Sequence, residues 1–545
     1  MARFSILILL FSLIFGGMIF HLYDIQINQN QIFKAKAESQ LKLAGLVLPT
    51  RGNIYVTDKN GGTILVAFNK NYPTIIASPK EIENTNVAAS LLADALKLNE
   101  SELKTLFEKK NSEYAPLVYE ATPEEVKKAR DLGLKGVYVD SEQGRSYPLE
   151  NIASQVIGFV SSLRLSERPE GKYGVEKFYN TDLFGKEGSI TSDRVEKSTP
   201  GKGVYLTIDI GIQKKANEIV TKLVKDYGAV AGSFIVEDPK TGKILAMGAL
   251  PDFDPNDYGA SSIKNFLNPM VQAYYEPGSV FKPLTMAAGI DSGSITPDTT
   301  YYDSGSVTLN GWTIKNWDLK ANGTISMTNV LERSVNTGTI FAERKMGHEV
   351  FYNYLKKFKL DKITGIDLPG EVAGSLGGLN TKNVRDVNYA TASFGQGIAV
   401  TPIRLLTALA SLANGGVMMR PYVNAELKPE VVERVITAET AKKVTNMMVS
   451  AVDKAVIAKI PHYSVAGKTG TAFVPDAKHG GYTDDVINTY VGFAPASDPQ
   501  FIILIRLDKP AGAPIAGLTV VPSFRELAEY VLGYYNIPPD RIDQN

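Results

Sequence analysis

Residues 275–288 read Tyr-Glu-Pro-Gly-Ser-Val-Phe-Lys-Pro-Leu-Thr-Met-Ala-Ala. Pro277-Gly278 breaks the chain immediately before an apolar run, so the pattern predicts a helix whose first turn carries Ser279. There the hydroxyl and its backbone N–H face an open helix N-terminus, which favours developing negative charge. Lys282, one turn further in, shares a face with Ser279, and burial would lower its pKa toward the range of a useful base. The S-x-x-K pattern alone is weak, since it recurs at Ser39/Lys42, Ser101/Lys104 and Ser261/Lys264. The first two lie in charged helical stretches and the third follows the loop PDFDPNDYGAS, so all three read as solvated surface.

Two further motifs follow the serine. S-x-N occurs once, as Ser334-Val335-Asn336, where a helix cap or turn is the commoner fate of such residues. K-T-G occurs twice. Lys240-Thr241-Gly242 falls between the strand-like runs AGSFIVED and KILAMGAL and reads as a hairpin turn. Lys468-Thr469-Gly470, in VAGKTGTAF, runs into a strand. Gly470 suits a strand along which a substrate lies, because a side chain there would obstruct it. Gly467-Lys468-Thr469 also mimics the end of a phosphate-binding loop, but that motif needs glycine at 462, where His462 stands.

Composition narrows the chemistry. The 545 residues are 44% hydrophobic, enough for at least two cores. Fifty-eight basic side chains balance 58 acidic ones, leaving no single-sign field to recruit nucleic acid. The absence of cysteine removes disulfides, thiolate nucleophiles and cysteine metal sites. The four histidines, His21, His348, His462 and His479, show no metal-ligand spacing, so no metal or other cofactor is expected. No serine lies in a G-x-S-x-G elbow.

Residues 4–22, FSILILLFSLIFGGMIFHL, would span about 28 Å as a helix, matching a bilayer core. The run exceeds a signal-peptide core and no A-x-A site follows, so an uncleaved anchor is expected over 1–25. A polar helical pattern fills 24–45, short β-branched runs fill 46–79, and 80–140 reads as a helix-rich accessory lobe. The Lys, Glu, Pro and Gly content of 186–205 marks a boundary, placing an elongated mixed α/β domain at 26–200 and a second domain at 201–545. In the latter, strands from both ends (VYLTIDI, the hairpin, NTYVGFAP and FIILIRLD), helices at 211–227 and 523–535, and a helix-rich middle predict one antiparallel sheet flanked by helices. The fold class is multidomain α/β.

Ser279-x-x-Lys282, Ser334-x-Asn336 and Lys468-Thr469-Gly470, in this order and approximate spacing, resemble the three motifs of the penicilloyl-serine transferases. Beyond them the chain resembles a class B penicillin-binding protein along nearly its whole length. RGNIYVTDKNGG at 51–62, GRSYPLENIASQVIGFV at 144–160 and KYGVEKFYNTDLFGKEG at 172–188 are similar to the family's pedestal segments. DPKTGKILAMGALPDFDPN, GIDLPGE and ASFGQGIAVTPIRLLTALASLANGG are similar to segments of its transpeptidase domain. One departure is Val56-Thr57, which intervenes before Asp58, with Lys59 where arginine is usual.

The resemblance implies a peptidoglycan D,D-transpeptidase acting through a serine acyl-enzyme with release of D-Ala. Ser279 would be the nucleophile and Lys282 its base. Ser334 would relay protons, Asn336 would bind the substrate amide and steady Lys282, and Lys468 would polarise the relay. Thr469, Gly470 and Thr471 would line the substrate site, with the backbone N–H groups of Ser279 and Thr471 as the oxyanion hole. It further implies stem peptides as substrate, β-lactams as covalent inhibitors, a SEDS-type polymerase as partner, and a single-pass place in the bacterial cytoplasmic membrane. The short pedestal and the ending VVPSFRELAEYVLGYYNIPPD lean toward the division type. The rival readings are a β-lactam-hydrolysing serine enzyme and a membrane-anchored scaffold with dispensable catalysis.

Overall fold

Two apolar runs, β1 (Ala231–Glu237) and β2 (Ile244–Leu250), fold back on each other with Phe234 opposite Gly248. Asp238 closes the turn between them, taking Lys240 N and Thr241 Oγ1 on its side chain and Gly242 N on its carbonyl. The first K-T-G is therefore the expected hairpin turn. From the other end of the chain come β3 (Ala466–Pro475), β4 (Tyr482–Ala494) and β5 (Phe501–Asp508). The five form one antiparallel sheet in the order β2-β1-β5-β4-β3, which leaves β3 at an edge.

Period-two alternation sends neighbouring residues to opposite faces, and both faces are covered, so β5 reads as a continuous apolar run. Ile503 and Ile505 meet α1 (Ile210–Asp226) and the C-terminal helix Val520–Tyr534 through Ile212, Leu223, Phe524 and Leu527. Ile502 and Leu504 join the opposite core, which holds Leu284 of α2 (Lys282–Asp291), Leu405 of α5 (Pro402–Ala413) and Val444 of α6 (Ala438–Ala455). Between α2 and α5 lie α3 (Met327–Arg333) and α4 (Asn336–Met346). The helix-rich middle also holds strands: Thr300–Asp303 pairs with Gly323–Ser326, Ser306–Leu309 with Trp312–Lys315, and Val417–Met419 with Val431–Arg434. These short strands have little apolar alternation and gave no periodic signal.

The structure is a computed structural model describing residues 46–541 apart from 191–194, 381–383, 477–478 and 513, together with Phe15 and Met18. The expected anchor over 1–25 and the polar stretch 24–45 fall outside it, these two residues excepted. Among the described residues no helix is long and apolar enough to cross a membrane.

The N-terminal region is built on Thr63–Ala77, one 15-residue strand where the sequence suggested two runs. Pro73 sits inside it without loss, because its carbonyl accepts from Ala121 N. Its ring nitrogen faces that same side, away from the ladder with Val137–Ser146. Helices Thr85–Leu96, Glu100–Phe107 and Pro123–Asp131 pack around a core of their own that includes Leu92, Leu103 and Phe107. VYLTIDI, expected in the central antiparallel sheet, is not part of it: as Val204–Asp209, the strand that feeds α1, it pairs in parallel with Ile54–Thr57, so one sheet joins the two regions.

The three N-terminal segments singled out in the sequence converge on one buried ion cluster. Glu176 accepts from Arg51 Nε at 2.8 Å and from Arg145 Nε at 2.8 Å, and Tyr147 donates to it at 3.2 Å. Burial pushes the Glu176 carboxyl up, and the guanidinium groups of Arg145 and Arg51 outweigh that, leaving it below its ordinary value. All three side chains are almost entirely buried. Glu176→Gln would strand two guanidinium charges in the core, so its unfolding free energy is expected to fall by about 3–5 kcal/mol, measured by denaturant titration.

Candidate active site

Ser279 lies where the sequence placed it. Gly278–Phe281 forms a single tight turn that runs into α2, and Gly278 takes φ +60°, a conformation glycine adopts freely. Gly278 N donates to Gly395 O at 3.0 Å, and Tyr275 exchanges both backbone hydrogen bonds with Val400. These contacts with 395–400 hold the turn from one side. Strand β3 holds it from the other: a Cβ on Gly470 would lie 3.0 Å from Val280 Cγ1, 3.1 Å from Pro277 O and 3.2 Å from Val280 N. The expected reason for this glycine was a substrate along the strand. The structure supplies a different one, since a side chain there would push the serine turn away from the sheet.

Lys282 is completely buried at the start of α2. Its Nζ donates to Ser334 O at 2.5 Å and to Asn336 Oδ1 at 2.8 Å, with Ser334 Oγ 3.3 Å away. Burial drives its pKa well below the ordinary lysine value, and the nearby Lys468 adds to that. Lys468 Nζ donates to Ser334 Oγ at 3.0 Å and to Thr469 O at 3.1 Å, and burial lowers its pKa to about 7. Two amines thus meet at one hydroxyl, an arrangement that disfavours charging both. A neutral amine has two N–H groups. In that form the two short bonds from Lys282 would use both and leave a lone pair able to accept a proton.

Ser334 and Asn336 sit on a two-helix joint. Ser334 caps α3 in the left-handed region, φ 57° and ψ 42°, and Asn336 is the first residue of α4. Non-glycine residues persist there only when the surroundings hold them, and such strain gathers at functional sites. Asn336 Nδ2 donates to Lys315 O at 3.0 Å, so the lobe of short strands missed in the sequence borders the site. Its Asn310-Gly311 turn, a strong hairpin signal, was the available clue.

On β3, Thr469 and Thr471 share one face by alternation, Thr469 half-buried and Thr471 exposed. Thr471 Oγ1 accepts from Ala516 N at 3.1 Å, which ties it to the loop after β5. All eight expected residues, Ser279, Lys282, Ser334, Asn336, Lys468, Thr469, Gly470 and Thr471, therefore lie on the serine turn, the joint and the strand packed against that turn. The other pairs are elsewhere: Ser101 N donates to the capping Asn99 side chain while Lys104 pairs with Glu100 at 2.7 Å, and Lys264 is exposed. Ser39 and Lys42 fall outside the described residues. His348 lies between Glu343 and Asp386, and His479 beside Asp476. Among the described residues no group of three or more acidic or histidine side chains could hold a metal ion.

Comparison with known proteins covers the same span. The penicillin-binding protein transpeptidase domain matches residues 232–528, and the penicillin-binding protein dimerisation domain matches 46–206. Stage V sporulation protein D of Bacillus subtilis is 31% identical, over 95% of this chain and 85% of that protein. The probable peptidoglycan D,D-transpeptidase PenA of Neisseria meningitidis is 27% identical, over 99% of this chain and 94% of that protein. Among solved structures, penicillin-binding protein 3 of Mycobacterium tuberculosis in complex with aztreonam superposes with a TM-score of 0.70 at 27% identity, over 91% and 98% of the two chains.

Proposed function

This chain belongs to the class B penicillin-binding proteins, a serine-type peptidoglycan D,D-transpeptidase of cell-wall synthesis, and we propose that Ser279 is its nucleophile and Lys282 its general base. The observation that carries this assignment is the complete burial of Lys282, which lowers its pKa, with its Nζ held by Ser334 O and Asn336 Oδ1.

Ser279 Oγ attacks the carbonyl carbon of the penultimate D-Ala of a stem pentapeptide, and its proton passes to Lys282 Nζ. The backbone N–H groups of Ser279 and Thr471 stabilise the oxyanion, a role supported by a helix N-terminus and a free strand edge facing each other. On collapse the bond to the terminal D-Ala breaks, and Ser334, between the two lysines, delivers a proton to the leaving amine. Lys468, Thr469 and Thr471 hold the donor's carboxylate, and Asn336 its amide. An amine of a neighbouring stem then attacks the ester, and Ser279 regains its proton as the cross-link forms.

Residues 1–25 are read as an uncleaved anchor in the cytoplasmic membrane, 26–200 as an extracytoplasmic pedestal and 201–545 as the transpeptidase domain. Glycan polymerisation then falls to a SEDS-type partner, and β-lactams, mimicking D-Ala-D-Ala, acylate Ser279. The short pedestal and the C-terminal sequence favour division. Incubation of the full-length protein with a fluorescent penicillin, followed on denaturing gels, tests the assignment against hydrolysis. An adduct that persists for many minutes is expected; rapid loss of label with consumption of the drug would make the chain a β-lactamase instead, and no label at all would favour the scaffold.

A further inference from the structure

Asp303 ends the strand Thr300–Asp303 and is fully buried. Its Oδ1 accepts from Gly305 N at 2.9 Å and Thr337 Oγ1 at 2.7 Å, and its Oδ2 from Asn322 N at 3.0 Å and Asn322 Nδ2 at 2.7 Å. Asn316 Nδ2 lies 3.2 and 2.9 Å from the two oxygens. Gly305, Asn316 and Asn322 belong to the Asp303 lobe itself and would suffice to close its loops. The bond to Thr337 does something else, because Thr337 is in the first turn of α4, next to Asn336.

Asn316 adds to this grip from the lobe. Its Oδ1 accepts from Thr337 N at 3.3 Å and lies 3.2 Å from Thr337 Oγ1, whose one proton goes to Asp303. The preceding residue, Lys315, offers its carbonyl to Asn336 Nδ2. An amide whose NH2 is held on Lys315 O has its oxygen left for Lys282, and that oxygen lies 2.8 Å from Nζ. Rotated by half a turn, the same amide would aim its NH2 at Lys282 and capture the lone pair that a base needs.

We infer that Asp303 is a positioning residue for the transpeptidase base: by clamping Asn316 and Thr337 it fixes Asn336 with its oxygen toward Lys282. The chain runs from Asp303 through Thr337, the neighbour of Asn336, and through Asn316 to the adjoining Lys315, whose carbonyl holds Asn336, and so to Lys282. Asp303 itself touches no substrate. The inference rests on Lys282 acting as base toward Ser279.

The test measures acylation by penicillin against pH for the full-length wild type, Asp303→Asn, Thr337→Val and Thr337→Ser, with thermal midpoints alongside. Asp303→Asn and Thr337→Val are expected to lower the acylation rate constant on the order of ten- to a hundredfold. Their acid limb should move to lower pH, because Lys282 loses an acceptor that stabilises its ammonium form. Thr337→Ser keeps the hydroxyl and is expected to stay within about twofold of wild type. The inference is overturned if Asp303→Asn and Thr337→Val acylate like wild type. It is equally overturned if they lose rate only in proportion to lost folded protein, with the acid limb unmoved. A wild type that takes no label would instead overturn the assignment of Ser279 and Lys282.

Discussion

Ser279→Ala is expected to abolish covalent labelling by penicillin and to lower cross-linking about a million-fold, the scale on which a serine enzyme fails without its nucleophile. The fold should not notice the change. Ser279 is half-buried, and among the described residues its hydroxyl makes no side-chain hydrogen bond, so the variant's stability is expected to stay within about 0.5 kcal/mol of wild type. A gel of wild type and variant, labelled side by side with a fluorescent penicillin, decides the matter. An adduct on the alanine variant would move the nucleophile to another residue.

Lys282→Met should separate activity from stability in opposite directions. Without the amine, nothing at this position takes the serine proton, and acylation is expected to fall about 10³- to 10⁴-fold. The acid limb produced by protonation of Lys282 should vanish from what remains. The folded pKa of this lysine lies well below its unfolded value because it is buried. At any pH between those two values the unfolded state therefore binds a proton that the folded state excludes, and folding bears that cost. The cost fades as pH rises toward about 10.4, where the unfolded lysine also loses its proton. Methionine removes it. Against this stand two lost hydrogen bonds, each worth about 1 kcal/mol. Lys282→Met is thus expected to be at least as stable as wild type at pH 7, with the advantage shrinking at higher pH, read from thermal midpoints across that range. A variant much less stable than wild type at pH 7 would mean that the amine's bonds outweigh its desolvation.

The sequence carried the long, periodic elements well. The helix expected at 211–227 is Ile210–Asp226, and the one expected at 523–535 starts slightly earlier, at Val520, because Pro522 is tolerated in a first turn. VYLTIDI, equally apolar, went to another sheet, whereas the hairpin, NTYVGFAP and FIILIRLD were readable as central strands because they are apolar on both faces. The lobe of short strands was not, since strands such as Ser306–Leu309 and Trp312–Lys315 are four residues each and largely solvent-facing. The site was readable as three motifs, yet their supports were not. Asp303, Asn316 and Gly395 act through contacts between segments distant in sequence, and the convergence of Arg51, Arg145 and Glu176 has no signature in spacing. Gly470 shows the limit most directly: its residue type was explained by a neighbour that the sequence could not reveal.

The order β2-β1-β5-β4-β3 has a consequence for the protein's birth. Residues 231–250 supply one side of the catalytic sheet and 466–508 the other, so β1 waits for almost the whole chain before its partner β5 exists. Pairings this remote in sequence form late, and a growing chain cannot anticipate them. Lys468 arrives with the last-made strands. A chain interrupted between Ser279 and these strands carries the serine but lacks the strand that packs against it, and is expected to be inert toward stem peptides and antibiotics alike. Reactivity is thereby postponed until synthesis is all but complete.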